Sequence, residues 1–180
     1  MKRLIEEKIE IPHGFVCKYE NKIFSCKKDS VESLRKIDVP NIEISIENNK
    51  IYFRCKRATK KEKKIVNSFI KHINNFFQGL NEKFVYKLEL CNVHFPMTLK
   101  IDKDMLIINN FLGEKTPRHA RILSNVDVQI KGQSISLSSF DKEAAGQTAG
   151  NIESATKVRN RDRRIFQDGI YIVSKPGDEK

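Results

Sequence analysis

Asp141–Lys175 reads DKEAAGQTAGNIESATKVRNRDRRIFQDGIYIVSK, a small-residue helical segment that runs into an arginine cluster and then into an apolar strand. Lys157, Arg159, Arg161, Arg163 and Arg164 stand against the single acid Asp162, and a core cannot take up so many unpaired charges. The cluster is therefore expected to face water or a polyanion. Gly146 and Gly150, accompanied by Ala144, Ala145, Ala149 and Ala155, leave the helix a nearly smooth flank. An interior glycine costs about 1 kcal/mol relative to alanine, so close packing is expected to compensate, against the chain's own sheet or a partner backbone such as RNA.

Working back from this segment, the same arrangement occurs earlier in the chain. Runs of β-branched and aromatic residues at Lys8–Ile11, Phe15–Tyr19, Lys22–Cys26, Val31–Ile37, Ile42–Ile46 and Ile51–Cys55 are separated by turn residues such as Glu20–Asn21, Pro40–Asn41 and Asn48–Asn49. They predict strands of an antiparallel or mixed sheet. From Lys60 to about Leu80, Ile65, Val66, Phe69, Ile70, Ile73, Phe76, Phe77 and Leu80 recur at helical spacing opposite Lys63, Lys64, Asn67, Lys71 and Asn74. The pattern restarts at Phe84, with strands at Phe84–Val93, Met97–Ile101, Met105–Asn110, Val126–Ile130 and Ser134–Leu137 before the helix at about 141–158 and a final strand. Sliding by 79 residues places Ile65 and Val66 on Ala144 and Ala145, Phe69 on Thr148, Ile73 on Ile152 and Phe76 on Ala155. The chain is accordingly expected to be α+β, two tandem repeats over 1–82 and 83–180, each a sheet covered by one helix.

Composition narrows the partner. The 34 Lys+Arg against 23 Asp+Glu give a formal net charge of +11, which attracts polyanions over a screening length of about 8 Å in physiological salt. No apolar window approaches the roughly 20 residues that span a bilayer, and MKRLIEEKIEIPHG lacks a signal peptide's apolar core, so no membrane association and a cytoplasmic location are expected. Cys17, Cys26, Cys55 and Cys91 never approach a CxxC spacing and the four histidines are scattered, so no metal site is expected; the cysteines read as small apolar residues of strands.

Catalytic motifs are missing as well. A nucleophile elbow, a phosphate-binding glycine loop, a dinucleotide fingerprint and H-E-x-x-H are absent, so neither an enzyme nor a cofactor is expected. Asp102 and Asp104 read as hairpin-tip residues and His94 as a strand-end residue. By contrast, FLGEKTPRHARILSN after Asn110 projects Lys115, Arg118, His119 and Arg121 against the lone Glu114 from an irregular backbone enforced by Gly113 and Pro117. Arginine suits phosphate because its planar fork binds two oxygens at once. A third basic run, Lys56, Arg57, Lys60, Lys61, Lys63 and Lys64, opens the first helix against its dipole; an external anion or plain solvation are both open there.

Four segments carry a resemblance: NVHFP at Asn92–Pro96, NFLGEK at Asn110–Lys115, GQTAGNIESATKVRN at Gly146–Asn160 and FQDGIYIVSK at Phe166–Lys175. In order and spacing they resemble the universal large-subunit ribosomal protein L-six family, called L-nine in eukaryotic nomenclature. Asn160–Arg164 followed by FQDGIYIVSK is similar to archaeal and eukaryotic members, whereas bacterial members end in a proline-, tyrosine- and glycine-rich basic loop. The resemblance covers the whole chain and is specific from Phe84 onward; the first half agrees by strand rhythm and layout.

The resemblance implies two tandem α+β units and a structural role in the cytosolic large ribosomal subunit, in single copy. It implies binding to large-subunit rRNA near the sarcin–ricin loop and stalk base, beside neighbouring ribosomal proteins and in proximity to translational GTPases. By motif position, Lys115, Arg118, Lys157, Arg159, Arg161 and Arg163 are the expected RNA-backbone contacts. Arg121 and Arg164 come second, and Gly146 and Gly150 are expected to permit close approach of helix and RNA. With 8 % aromatic residues and no Trp, most Phe being claimed by strands and helix faces, recognition is expected to rest on RNA shape instead of base stacking. A free-standing RNA-binding or regulatory module outside the ribosome shares the charge and the fold and is the alternative.

Overall fold

The computed structural model describes residues 3–28, 31–37, 39 and 41–178, and contacts divide the chain into units Met1–Asn81 and Glu82–Lys180. Pro40 of the expected Pro40–Asn41 turn lies outside the described residues. In the first unit, strands β1 (Arg3–Glu10), β2 (Val16–Glu20), β3 (Ile23–Lys28), β4 (Val31–Lys36), β5 (Glu43–Glu47) and β6 (Lys50–Ala58) precede helix α1 (Lys60–Asn81). Two hairpins turn through Asn21–Lys22 and Asn48–Asn49, all four residues at positive φ, which matches the right-handed twist of the flanking strands. Alternation then fixes the faces: Ile51, Phe53 and Cys55 of β6 are buried, with Tyr52 and Arg54 on the other side.

Helix α1 starts with a capping box. The Glu62 carboxylate accepts from the Thr59 N–H at 2.7 Å and from the Thr59 hydroxyl, while Lys61 N–H donates to Thr59 Oγ1. Glu62 thus places one carboxylate in the first turn, among the cations of the basic run that opens this helix. Val66, Ile73, Phe76 and Phe77 are buried against the sheets, as the spacing requires, but Ile65 lies at the edge of the stripe and is 36 % exposed.

The second unit repeats the order. Strands β7 (Phe84–Cys91), β8 (Thr98–Asp102), β9 (Met105–Asn109), β10 (Arg118–Arg121), β11 (Asp127–Lys131) and β12 (Ser134–Ser139) lead to helix α2 (Lys142–Ala155), and one further strand follows, β13 (Gly169–Ser174). Each unit divides its strands between two small sheets, and every pairing is antiparallel: β1-β6-β5 and β2-β3-β4 in the first, β11-β12-β7-β13 and β8-β9-β10 in the second. Replacing each strand number n of the first unit by n+6 reproduces the second, except for β13, which is additional and pairs with the other edge of β7. The duplication therefore holds at the level of topology. It also holds along the helices, where Val66 and Ile73 are buried like Ala145 and Ile152, 79 positions on.

Two differences from the sequence expectation concern the functional segments. Arg118–Arg121 is strand β10 and not irregular loop, because Ala120 faces the core opposite Leu106 and Ile122 follows it inward. Helix α2 is capped by Asp141, whose side chain accepts from Glu143 N–H, and ends at Ala155, short of the expected 158. Thr156 stops it by turning its hydroxyl to accept the Ile170 N–H of β13 at 2.9 Å, and Val158 drops into the core. All four cysteines sit in strands; Cys17 and Cys26 oppose each other across β2–β3 with sulfurs 3.6 Å apart. Asp102 and Asp104 flank the exposed tip of the β8–β9 hairpin.

Candidate nucleic-acid interface

The four motif segments, distant in sequence, meet on the second unit. Residues 156–168 connect α2 to β13 as an exposed loop pinned by buried Val158. Lys157, Arg159, Arg161, Arg163 and Arg164 are all exposed along it. Asp162 does not neutralise them: its carboxylate accepts the Arg164 N–H at 2.9 Å, and its carbonyl accepts from Ile165 and Phe166, so the acid shapes the turn. Arg161 lies over the Phe166 ring, 4.8 Å from its centroid. Among the described residues, the side chains of Lys157, Arg159, Arg163 and Arg164 form no ion pair or hydrogen bond. Those cations are available to an outside anion.

The second basic segment lies alongside. Asn110 (φ 59), Leu112 (φ 49) and Gly113 (φ 79) take left-handed backbone conformations around a short 3-10 turn at Phe111–Gly113, burying the Phe111 ring. Asn110 Nδ2 donates to the Pro96 carbonyl at 2.9 Å, which joins NFLGEK to NVHFP. Lys115 and Arg121 are exposed, whereas Arg118 is engaged within the protein. Its Nε and Nη2 donate to the two oxygens of Glu114 at 2.8 and 2.6 Å, and Nη1 donates to the carbonyls of Ala155 and Lys157 at 2.9 and 3.2 Å. The guanidinium also lies over the Phe111 ring at 4.0 Å. This hydrogen-bonded pairing holds the Glu114 carboxyl below its ordinary value, burial opposing only in part. Arg118 therefore ties the start of the arginine loop to the neighbouring segment.

At the far end of the loop stands Asp168, 1 % exposed. Its carboxylate accepts from the backbone N–H groups of Val93 and His94 at 2.7 and 2.9 Å and lies 2.5 Å from His94 Nδ1, while the His94 ring stacks on Phe166 with centroids 5.0 Å apart. His94 is thus a fastening residue beside the strand end. Burial alone would raise the Asp168 carboxyl, but these donors outweigh it and its value lies below the ordinary 3.8. A depressed carboxyl stabilises the fold fully above its ordinary value, and that stability is lost as pH falls through the folded-state value. Asp168→Asn is therefore expected to lower the unfolding temperature at neutral pH and to flatten its decline below about pH 4; parallel acid-unfolding curves for the two proteins would contradict this.

The two helical glycines differ. A Cβ at Gly146 would lie 2.9 Å from Tyr86 Oη, so this glycine lets the helix approach β7 of its own sheet. At Gly150 a Cβ would meet nothing within 4 Å. Gly150→Ala is expected to stabilise the free protein by about 0.5–1 kcal/mol and Gly146→Val to destabilise it by about 1–3 kcal/mol, both read by thermal unfolding. Equal effects at the two sites would refute the distinction. Phe95, 47 % exposed in NVHFP, is the one exposed phenylalanine among the described residues.

Fold and surface together define a class: a duplicated α+β protein whose second repeat carries a stapled, cation-rich loop suited to phosphate. Comparison with known proteins gives the family. The ribosomal protein L6 family model matches residues 95–169, a span that contains Glu114, Arg118, the arginine loop and Asp168 but not Tyr86, Val93 or His94. The large ribosomal subunit protein uL6 of Methanococcus vannielii is 42 % identical over 174 residues, 97 % of this chain and 96 % of the relative. That of Methanobrevibacter smithii is 39 % identical over 171 residues, 95 % of this chain and 96 % of the relative. The chain belongs to the ribosomal protein L6 (uL6) family, whose members are structural proteins of the large ribosomal subunit and not enzymes. Among the described residues, no helix is long and apolar enough to cross a membrane.

Proposed function

We propose that this chain is a structural constituent of the cytosolic large ribosomal subunit, in single copy, and that its second repeat, residues 83–180, grips large-subunit rRNA. The proposed place is near the sarcin–ricin loop and the base of the lateral stalk, where translational GTPases dock. One observation carries the reading: in a member of this family, five exposed cations of 157–164 face the single acid Asp162, whose carboxylate caps a turn and pairs with none of them, and Arg118 joins the start of that loop to the segment that carries Lys115. Lys157, Arg159, Arg161 and Arg163 meet phosphates, with Lys115 from the adjacent segment and Arg121 and Arg164 at the margins. Gly150, whose missing side chain leaves open space, admits the RNA backbone; Gly146 gives its space to Tyr86. The first repeat, residues 1–82, is left to neighbouring ribosomal proteins.

Each neutralised phosphate releases counterions, so affinity falls with salt by a log–log slope of roughly 0.7–0.9 per contact. Shape supplies the specificity, since folded A-form RNA hides its major-groove edges and offers backbone geometry and 2′-hydroxyls. Sucrose-gradient sedimentation of cell extract at moderate and high salt, probed for this protein, tests the reading. Nearly all of it is expected with large subunits at moderate salt. A predominantly free pool there would sink the ribosomal assignment.

A further inference from the structure

A loop of exposed arginines repels itself and, left free, samples many shapes; binding must then order it at the expense of affinity. This loop is fastened at both ends by groups that are not among its free cations. At the start, Arg118 holds the carbonyls of Ala155 and Lys157 and is itself gripped by both oxygens of Glu114. At the finish, buried Asp168 gathers the backbone of Val93 and His94, and His94 stacks on the same Phe166 ring over which Arg161 lies.

Electrostatics alone makes two of these residues unwelcome. Glu114 on the surface and buried Asp168 at the end of the loop place carboxylates close to the cations proposed to meet a polyanion, where each lowers the local positive potential. Arg118, conversely, directs three of its nitrogens at protein acceptors and its face at Phe111, so little of its fork remains for phosphate. We propose that Glu114, Arg118 and Asp168 are positioning residues, which hold the arginine loop in its RNA-bound shape before RNA arrives and do not themselves contact it. The proposal rests on the RNA-binding reading given above. It departs from that reading's charge logic, because it makes two acids favourable for binding a polyanion.

Opposite signs make the test decisive. Binding of the full chain to protein-free large-subunit rRNA is measured over a series of KCl concentrations, well below the unfolding temperature of each variant. Glu114→Gln and Asp168→Asn each remove a negative charge, yet both are expected to weaken binding about tenfold at every salt concentration. The log–log salt slope should stay that of the wild type, because the same phosphates are neutralised in the end. Arg118→Lys keeps the charge but lacks the fork, and is expected to weaken binding equally, again with an unchanged slope.

Unaltered or tighter binding by Glu114→Gln overturns the proposal, as does a lowered unfolding temperature with wild-type affinity, which would make these contacts merely structural. Wild-type affinity in Arg118→Lys, with a reduced salt slope in Arg118→Gln, would make Arg118 a direct phosphate contact and also overturns it. If Asp168→Asn does not fold, the half-exposed Glu114 still decides the matter. The Arg159→Ala, Arg161→Ala, Arg163→Ala triple variant separates the two readings. Wild-type binding in that variant refutes RNA contact by the loop itself, whereas weakened binding there with unaltered Glu114→Gln refutes only the positioning role.

Discussion

Replacing Arg159, Arg161 and Arg163 together by alanine is expected to lower affinity for large-subunit rRNA about a hundredfold in physiological salt and to reduce the log–log salt slope by about 2–3. The magnitude follows from counterion release: one phosphate contact with a slope of about 0.9 contributes roughly fivefold at about 0.15 M salt, and three independent contacts multiply. Stability should barely move. All three side chains are exposed and, among the described residues, none of them forms a hydrogen bond or an ion pair; Arg161 lies over the Phe166 ring. Loss of affinity with an unchanged unfolding temperature is thus the expected pair of readings. Unaltered association and an unaltered salt response would refute the loop's assignment.

Phe111→Ala is expected to give the largest loss of stability, about 3–5 kcal/mol in denaturant unfolding. The ring is 1 % exposed and belongs to the same buried cluster of the second unit as Leu106, Ile108 and Ala120, so truncation both removes apolar burial and leaves a cavity. A domain's whole stability is about 5–15 kcal/mol, so the second unit should unfold well before the first. Its effect reaches the surface, because Phe111 is also the floor on which Arg118 rests at 4.0 Å. A loss below about 1 kcal/mol would show that the site collapses around the deletion and would refute the expectation.

Features carried by local periodicity were readable from the sequence. The α1 stripe from Val66 to Phe77, the Asn-rich hairpin turns and the small-residue face of α2 each follow from spacing within a few residues. Strand β10 was hidden because its inward pair, Ala120 and Ile122, is short and lies behind Gly113 and Pro117 among cations that signal a loop. Division of each repeat into two sheets was equally hidden, since pairing partners such as β1 and β6 are chosen by tertiary packing.

Arg118 shows the same boundary at the level of one side chain. Its charge and its fork were legible, and so was Glu114 four residues earlier, but the carbonyls it holds lie 37 and 39 positions away. Asp168 belonged to a recognised motif, yet nothing near it in sequence shows that it gathers N–H groups 74 and 75 residues distant. Surface cations are readable because composition reveals them. The groups that aim them are not, because only folding brings their partners within reach.

The additional strand β13 has a consequence in time. It pairs with β7, the strand that opens its unit, so the first and last strands of this repeat to emerge during synthesis are neighbours in the finished sheet. Until residues 169–174 have emerged, the arginine loop is anchored at its α2 end alone and Asp168 has not reached Val93 and His94. A nascent chain therefore displays its positive charge before it can hold that charge in shape. With the loop in its proposed RNA-binding role, early encounters with RNA are expected to be loose and reversible, and tight attachment to wait for the closing strand.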